Sequence, residues 1–411
     1  MIIVGGGISG LTLALMLERR SIDCCVYESA PELKPLGVGV SLLPHGTHEL
    51  VELGLLDALE RSAVRFRESC FFNCFGQLIY RDPASARWPQ FLVHRADLHA
   101  ILLAAVVERL GEDRVLLNHT CTGVDQDADG AVARFRPTSG DGAEVAVRGD
   151  AVIGCDGIHS AVRAQFYPDE HELAFSGINL WRGVTRHPPF LSGGSHVRAG
   201  VLDTGKLVIY PIRDDVDAEG RQLINWATEI RQPHAAPAAW NQPGRLEDFA
   251  HLFDDWRFDW LDVPKLLRDA ELILQYPMSD RDPVPHWSFD RVTLVGDAAH
   301  PMLPRGSNGA MQAILDTRAL ADALAAAGDV VSALREYERA RLELVNRIVL
   351  TNRVTPPDVL IEVVQRRTGN RPFERREDVI GDDELRDLLE RYKRTARYSD
   401  EALATLDTAP G

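Results

Sequence analysis

A strand, a glycine-rich turn and a helix open this chain and constrain its fold more than any other stretch. Ile2-Ile3-Val4 predicts a short buried strand, and Gly5-Gly6-Gly7-Ile8-Ser9-Gly10 follows it directly. An apolar helix comes next, and a second apolar run after it ends in Glu28. Gly5, Gly7 and Gly10 therefore match G-x-G-x-x-G in the strand–turn–helix context that gives the pattern meaning.

Each glycine has a separate role in this pattern. Gly5 allows the tight turn, Gly7 lets the backbone approach a pyrophosphate, and Gly10 lets helix and strand pack closely. The pyrophosphate would bind the free N–H groups at the positive end of the helix. Glu28 could accept hydrogen bonds from an adenosine ribose, and its charge disfavours a 2′-phosphate there. We predict a dinucleotide site; the alternative is a βαβ turn that uses glycine only for its geometry.

Composition indicates a soluble enzyme. The 411 residues suffice for two domains, and 45% hydrophobic with 26% charged residues is ordinary for such proteins. A net charge of −16 without a basic block argues against nucleic acid as a partner. The sequence contains neither a long apolar run nor a signal peptide, which argues against a membrane span. Six cysteines without metal-ligand spacing predict reduced thiols, a cytoplasmic location and no metal site.

A second segment places a carboxylate and a glycine after a buried strand. The apolar run 151–155 leads into Asp156-Gly157, and a helix follows with Ser160 and Arg163 on its first turns. In an open α/β sheet, ligands bind at the carboxyl ends of the strands. Asp156 is therefore a candidate ligand-binding residue.

A third segment repeats this arrangement late in the chain. The apolar run 292–295 leads into Gly296-Asp297, and a loop through Pro304 and Gly309 precedes a long helix that begins at Ala310. The N-terminus of that helix carries about half an elementary charge and could stabilise an anion that forms on a bound ring.

Two further features point to the same region. Arg95 stands at the start of a helix, where its charge opposes the helix dipole, so we expect it to bind an anionic group. The run Leu36-Gly37-Val38-Gly39-Val40 indicates either backbone close to a flat ligand or a glycine-rich strand entry.

Residues 172–275 differ from the rest of the chain in their sequence pattern. Strand-like segments with aromatic residues recur there without βα alternation, which predicts an antiparallel sheet in a second domain. The aromatic residues between 249 and 260 are typical of a core rather than of a ligand site.

The order and spacing of the three motifs resemble those of the single-component FAD-dependent aromatic hydroxylases, also called class A flavoprotein monooxygenases. The resemblance covers roughly residues 1–350. A narrower likeness is to the phenazine hydroxylases that act on 5-methylphenazine-1-carboxylate. The segments that carry it are Pro35–Val40, Trp181–Val184, Leu274–Met278, Asp280–Pro283 and Asn308–Ala310.

The resemblance implies an α/β fold with a Rossmann-type FAD-binding domain, interleaved with an antiparallel-sheet substrate domain and followed by C-terminal helices. The FAD-binding domain would comprise residues 1–70, 95–170 and 276–350. The substrate domain would comprise 71–94 and 171–275, and the C-terminal helical region 351–411.

The resemblance also implies the site residues. Asp297 would contact the ribityl chain, Arg95 the phosphates or ribityl region, and the Asp156 segment both FAD and NAD(P)H. The predicted FAD-binding residues are Gly5, Gly7, Ser9, Gly10, Glu28, Ser29, Val40, Arg95, Asp156, Asp297, Pro304, Gly306, Asn308, Gly309 and Ala310. The substrate candidates are Trp181, Arg182, Tyr210, Trp226 and Arg305. Arg305 stands where the phenazine hydroxylases would have an apolar residue, and no catalytic side chain is identified.

The implied reaction uses NADH or NADPH to reduce FAD. Reduced flavin and O2 then give a C4a-hydroperoxide, which an electron-rich ring attacks. We therefore expect hydroxylation of an aromatic or fused heteroaromatic substrate, with or without loss of a carboxylate. The alternatives are a monooxygenase acting on a non-aromatic or polyketide-type ring, a flavin-dependent reductase, and a flavin-binding protein without turnover. A halogenase is disfavoured because its Trp-x-Trp-x-Ile-Pro signature is absent. The sequence leaves the oligomeric state open.

Overall fold

A computed structural model describes residues 1–32, 38–140, 142–170, 172–235 and 242–406. Pro35, Leu36 and Gly37 of the glycine-flanked run lie outside the described residues. The described strands, β1 to β22 in chain order, are Ile2–Val4, Cys25–Tyr27, Gly39–Leu42, Val64–Arg65, Glu68–Phe72, Leu78–Pro83, Phe91–His94, Val115–Leu116, Thr120–Gln126, Ala131–Arg136, Val145–Gly149, Val152–Gly154, Ala174–His187, Ser195–Val201, Gly205–Arg213, Gln222–Arg231, Gln242–Pro243, Arg257–Phe258, Leu261–Asp262, Leu272–Asp280, Ser288–Phe289 and Val292–Leu294. The described α-helices, α1 to α11, are Ile8–Glu18, Pro44–Glu52, Leu56–Ser62, Arg95–Leu110, Ala161–Phe166, Val263–Arg268, Gly309–Ala326, Val330–Val354, Val359–Thr368, Asp382–Thr395 and Asp400–Leu406.

A six-stranded sheet in the order β21-β22-β12-β1-β2-β8 carries all three sequence motifs. β1 pairs in parallel with β2 and β12, and β12 pairs in parallel with β22. Val4, Gly154 and Leu294 are register partners at the ends of these strands. Because parallel strands end at the same edge, the three motifs meet there although they lie far apart in the sequence. The Rossmann-type unit is confirmed.

An eight-stranded sheet, which we call the roof sheet, has the order β17-β20-β13-β16-β15-β14-β5-β6. Most of its neighbouring strands are antiparallel, whereas β14 and β5 are parallel. The long strands β13 and β16 form its centre and pair along ten residues, from Ile178 with Arg231 to His187 with Gln222. The predicted antiparallel substrate-domain sheet is therefore confirmed.

The strand pairings shift the predicted domain limits by a few residues. The roof sheet already includes Glu68–Phe72, whereas Phe91–His94 pairs with β3 and β4 in a small separate sheet. Its last long strand continues to Asp280, beyond the expected limit at 275. The predicted insert within residues 114–148 forms a three-stranded antiparallel sheet of β9, β10 and β11.

The C-terminal helices pack against the roof sheet. Leu360, Ile361, Leu385 and Leu389 of α9 and α10 share an apolar cluster with Phe71 of β5. α10 has three acidic residues in its first turn and two basic residues in its last, an arrangement that complements the helix dipole. Among the described helices, none is long and apolar enough to cross a membrane.

Candidate active site

The first motif leaves the N-terminus of α1 open. Gly5 has a φ of +104°, and a Cβ there would lie 2.5 Å from the Cys155 carbonyl oxygen. A Cβ at Gly10 would overlap the carbonyl oxygen of Gly5, whereas a Cβ at Gly7 would meet no atom within 4 Å. α1 has no side-chain cap and no acidic residue in its first turn. Its free N–H groups can therefore receive a pyrophosphate at Gly7.

Glu28 links the second strand to this turn. Its Oε2 accepts a hydrogen bond from the Gly6 backbone N–H at 2.7 Å, and its Oε1 accepts one from the Ala30 N–H at 2.8 Å. The Ser29 hydroxyl donates to the same Oε1 at 3.0 Å. Glu28 thus orders the glycine turn, and its carboxylate keeps lone pairs for a ribose hydroxyl.

Asp297 lies in a short 3-10 turn at the end of β22. The preceding Gly296 has a φ of +64°, and a Cβ there would overlap the Ser9 hydroxyl, so the first and third motifs pack directly together. The Asp297 carboxylate is accessible to solvent, yet the protein that surrounds it desolvates it and raises its pKa. The charges of His300 and Arg95 act in the opposite direction. An accessible carboxylate in a protein-lined cleft suits the hydroxyls of a ribityl chain.

Arg95 is a free cation at this cleft. It begins α4, its backbone N–H donates to the Val38 carbonyl, and its guanidinium has no carboxylate within 4 Å among the described residues. Its charge favours ionisation of Asp297. Val40, the second residue of β3, is half-buried.

The Asp156 segment makes structural contacts within the protein. Asp156 accepts hydrogen bonds from the Ser160 hydroxyl and the Ala161 N–H, at 2.5 and 2.8 Å, and so caps α5. Arg163 is buried, pairs with Glu170 and donates to the Ala298 and Ala299 carbonyls after Asp297. This segment therefore braces the third motif, and a direct contact of Asp156 with the cofactor remains a prediction.

A buried network supports the third motif from behind. Asp316 of α7 accepts from the Gly296 backbone N–H, binds the His300 ring at 2.5 Å and pairs with Arg341 of α8 at 2.8 Å. Burial raises the pKa of Asp316, but the charges of His300 and Arg341 outweigh that effect and hold it below its usual value. Sequence reasoning missed this network because its members lie on three separate elements.

The N-terminus of α7 faces the same cleft. Asn308 gives the helix no side-chain cap, and no acidic residue occupies the first turn. A Cβ at Gly309 would lie 3.8 Å from the nearer Asp297 oxygen, and Pro304 is exposed. The free N–H groups from Gly309 and Ala310 onward therefore provide a partial positive charge beside Asp297.

The structure adds to one prediction in this loop and corrects another. A Cβ at Gly306 would overlap the hydroxyl of Tyr392, so packing of the C-terminal helix already requires glycine here, and a contact of Gly306 with the cofactor remains a prediction. Arg305 is buried and pairs with Asp358 at 3.3 Å and Glu362 at 3.5 Å. Its charge is compensated within the protein, so it is not an available anchor for a substrate carboxylate.

The roof sheet corrects the predictions for Trp181 and Trp226. Trp181 and Trp226 are at most 1% exposed and share an apolar cluster with Phe249. Trp181 stacks on Phe249, and the Trp226 indole N–H donates to the Thr185 hydroxyl. Because side chains alternate along a strand, these two tryptophans lie on the face opposite to Arg182, and their predicted contact with substrate is wrong.

Arg182 and Tyr210 do face the cofactor domain. One Arg182 guanidinium N–H donates to the Gly39 carbonyl at 3.1 Å, while its buried Nε has no partner in the described structure. A Cβ at Gly39 would overlap the Tyr210 ring, which shows how closely the two domains approach. Burial raises the pKa of the Tyr210 phenol.

His196 and Arg198 join them from β14, and sequence reasoning missed both. His196 stacks on Tyr210 with ring centroids 4.7 Å apart, and its buried Nδ1 has no partner in the described structure. Burial and the charge of Arg198 hold the pKa of His196 well below its usual value, so the ring is neutral. The two-residue spacing of His196 and Arg198 is a strand signal, but only the register with β15 identifies the face.

The arrangement fits FAD. The open helix N-terminus at Gly7, the carboxylates of Glu28 and Asp297, the free guanidinium of Arg95 and the second helix N-terminus at Gly309 follow one another along the cleft. They offer donors for phosphates, acceptors for ribose and ribityl hydroxyls, and positive charge for an electron-rich ring. The roof-sheet face with Arg182 and Tyr210 meets the cofactor domain at Gly39.

Comparisons with known proteins agree with this geometry. The profile described as FAD binding domain matches residues 1–190 and 266–351. The chain is 40% identical, over 86% of its length and 89% of the relative's, to phenazine 1,6-dicarboxylic acid hydroxylase PhzS of Lysobacter antibioticus. It is 36% identical, over 84% and 85%, to a 3-amino-4-hydroxybenzoate 2-monooxygenase of Streptomyces platensis. Klebsiella pneumoniae HpxO complexed with FAD and uric acid has the same fold, with a TM-score of 0.72, 23% identity and coverage of 99% and 95%.

Proposed function

This chain belongs to the FAD-binding family of flavin-dependent aromatic hydroxylases, and from that premise we propose that its substrate is a fused-ring aromatic acid bound beneath the roof sheet. The relatives from Lysobacter and Streptomyces are named for a phenazine dicarboxylic acid and an aminohydroxybenzoate. Both compounds are flat aromatic acids. The choice of acid and of ring size for this chain rests on the roof-sheet face.

Two guanidinium groups without anionic partners carry the proposal. Arg182 and Arg198 have no carboxylate within 4 Å among the described residues, and Arg198 is only 7% exposed. The described contacts of Arg198 are the Ser69 hydroxyl and the ring of Phe71. Its charge also acts on the buried Asp358, but that carboxylate already pairs with Lys206 and Arg305. A buried charge without an ion-pair partner is unfavourable, so an anion that binds at either arginine relieves that cost. A substrate carboxylate supplies such an anion.

The surface between the two arginines suits a flat ring. Tyr210 and His196 form a parallel stack with an interplanar angle of 12°. The neutral imidazole and phenol add no charge, and Gly39 packs closely against the Tyr210 ring. Aromatic side chains of this kind stabilise planar ligands by stacking and by apolar burial.

The protein's part in the reaction is to bind, orient and exclude water. FAD, when bound, supplies the oxygen-activating redox chemistry, with NADH or NADPH as the reductant. The N-terminus of α1 would bind the pyrophosphate, and Asp297 would accept hydrogen bonds from the ribityl chain. The N-terminus of α7 would stabilise negative charge on the reduced cofactor. Arg198 would hold the substrate carboxylate, and Arg182 would face the opposite end of the ring or a second carboxylate, with Tyr210 between them.

The proposal includes the cellular context. All six cysteines are free thiols, and burial raises the pKa of Cys155 well above its usual value, so that thiol is inert. Free thiols are typical of a cytoplasmic enzyme. The net charge of −16 favours small-molecule substrates over nucleic acid as partners.

The test is charge removal at the roof sheet. Arg198→Gln and Arg182→Gln should each weaken binding of phenazine-1-carboxylate and phenazine-1,6-dicarboxylate by about 10- to 150-fold, because a hydrogen bond to a charged group contributes about 1.5–3 kcal/mol. Binding is measured by perturbation of the flavin absorbance, and turnover by substrate-stimulated NAD(P)H oxidation with mass spectrometry of products. Product masses distinguish simple hydroxylation from exchange of carboxylate for hydroxyl.

Two controls make the result interpretable. Arg186→Gln removes an exposed arginine that pairs with Glu271 and lies on the same strand as Arg182. It should leave the dissociation constants of both acids unchanged. The carboxamide of each ligand should bind the wild type and the variants alike. Failure of both acids to bind the wild type, together with stimulation by a non-aromatic compound, would contradict the proposal.

A further inference from the structure

The C-terminal region reaches the candidate active site. The Tyr392 hydroxyl of α10 accepts from the Asn308 side-chain amide at 3.0 Å and donates to Asn352 at 2.6 Å. The side-chain amide of Gln312, in the first turn of α7, donates to the Ala396 carbonyl at 3.4 Å. The residues that follow α10 are therefore held against the loop and helix at the flavin site.

Tyr398 extends this contact to the cofactor domain. Its ring stacks on the ring of His45, at the start of α2, with centroids 5.3 Å apart and an interplanar angle of 9°. The Tyr398 side chain is partly accessible, yet burial raises its pKa well above the usual value. One face of this half-buried ring is therefore covered by His45.

His45 offers an unused polar atom at this stack. The residue is 1% exposed, and its Nδ1 has no hydrogen-bond partner in the described structure. Burial lowers the pKa of His45 to about 3, so the imidazole is neutral at any working pH. A buried ring nitrogen without a partner is unfavourable unless a ligand or water binds it.

Arg198 relates this stack to the roof sheet. Its charge lowers the pKa of Tyr398 and Tyr392, but it makes no described hydrogen bond or ring contact with either. The arginine and the stack are therefore near each other without touching. A ligand whose carboxylate is anchored at Arg198 has to be long to reach Tyr398.

We propose that Tyr398 and His45 form the far wall of the substrate cavity, which a three-ring aromatic acid contacts and a one-ring acid does not reach. Tyr398 is thus a specificity-determining residue supplied by the C-terminal region. This assignment rests on the proposed function, because it takes the ligand anchored at Arg198 to be an aromatic acid. The family profile ends at residue 351, so membership of the family does not specify this wall.

The experiment compares ring number in Tyr398 variants of the full FAD-loaded protein. Tyr398→Ala should weaken phenazine-1-carboxylate about tenfold, since a stacked pair contributes about 0.5–1.5 kcal/mol beyond the area it buries. The same variant should leave the dissociation constant of 3-hydroxybenzoate within about twofold of the wild-type value. Tyr398→Phe keeps the stack and should leave both constants within about twofold. Dissociation constants come from flavin absorbance titrations, and peroxide release in the presence of each acid reports uncoupled turnover.

Leu389→Ala is the matched control. It removes apolar contacts that α10 makes with Leu360 and Ile361. It therefore weakens the packing of the helix that precedes Tyr398, without changing Tyr398 or His45. It should lower thermal stability and keep the ratio of the two dissociation constants. An unchanged ratio in Tyr398→Ala, or an equal change in Leu389→Ala, refutes the wall. If the wild type binds neither acid, the proposed function has failed instead.

Discussion

Replacement of Asp297 should affect cofactor binding and apoprotein stability in opposite directions. The carboxylate is accessible in the cleft at the end of β22, beside Gly309 and the free guanidinium of Arg95. If it accepts one hydrogen bond from a ribityl hydroxyl, its loss removes about 1.5–3 kcal/mol of binding free energy. Asp297→Ala should therefore raise the dissociation constant of FAD by about 10- to 150-fold.

The effect on stability follows from the pKa of the same group. Burial raises the pKa of Asp297 in the folded apoprotein, so the folded state binds this proton more tightly than the unfolded chain. Stability contributed by the carboxyl is then lost as the pH rises above the usual value of 3.8 through the raised one. At neutral pH the isosteric Asp297→Asn apoprotein should melt at a higher temperature than the wild-type apoprotein. The difference should disappear below pH 3.8.

The assays are FAD titration by quenching of flavin fluorescence and thermal unfolding of apoprotein across pH. Asp169→Ala, at an exposed carboxylate with no described partner, should match the wild type in both. The alternative is that Asp297 only caps the segment that follows it. In that case both variants would lose apoprotein stability at neutral pH and would bind FAD with unchanged affinity, a result that refutes the reasoning.

Two further predictions concern the first two motifs. Gly10→Ala should prevent folding, because its Cβ overlaps the Gly5 carbonyl oxygen. Gly7→Ala should fold normally but bind FAD at least about tenfold more weakly, because its Cβ occupies the open approach to the pyrophosphate. Circular dichroism measures folding and FAD content measures binding, and full FAD retention in Gly7→Ala would contradict the second prediction. Arg163→Met should destabilise the apoprotein by about 1–3 kcal/mol, because it leaves the buried carbonyls of Ala298 and Ala299 without their donor, although Glu170 keeps its ion pair with Arg281. Urea unfolding measures this loss, with exposed Arg339→Met as a control expected to change stability little, and a loss below about 0.5 kcal/mol would show that Arg163 is not structural.

The cofactor side of the molecule could be predicted because its signals are local. A G-x-G-x-x-G turn has to lie between its own strand and helix, and parallel pairing then brings Gly154 and Leu294 level with Val4. The role of Asp156 was harder to foresee. A carboxylate at a strand end can bind a ligand or cap the next helix, and the structure shows the cap through the N–H groups of α5.

The substrate side could not be predicted in the same way. Trp181 and Arg182 are adjacent in sequence, but the pleat places them on opposite faces of the sheet, and nothing local indicates which face is the cavity. Gly306 looked like a cofactor-loop glycine, whereas its lack of a side chain accommodates Tyr392, eighty-six residues later in the chain. The sequence suggested that the charge of Arg305 is available to a substrate, but in the structure it pairs with Asp358, the residue that precedes α9.

The two parts of the chain outside the family profile, residues 191–265 and 352–411, contain most of the candidate substrate contacts. His196, Arg198 and Tyr210 lie in the first part, and Tyr398 lies in the second. The profile therefore covers the predicted FAD-binding residues, together with Arg182 and His45, and leaves out most of the proposed substrate contacts. Relatives of this chain are named for phenazine, benzoate and urate substrates, which agrees with our proposal that the cofactor chemistry and the substrate selection reside in different parts of the chain. For this chain, the substrate has to be inferred from Arg198 and Tyr398 rather than from the FAD motifs.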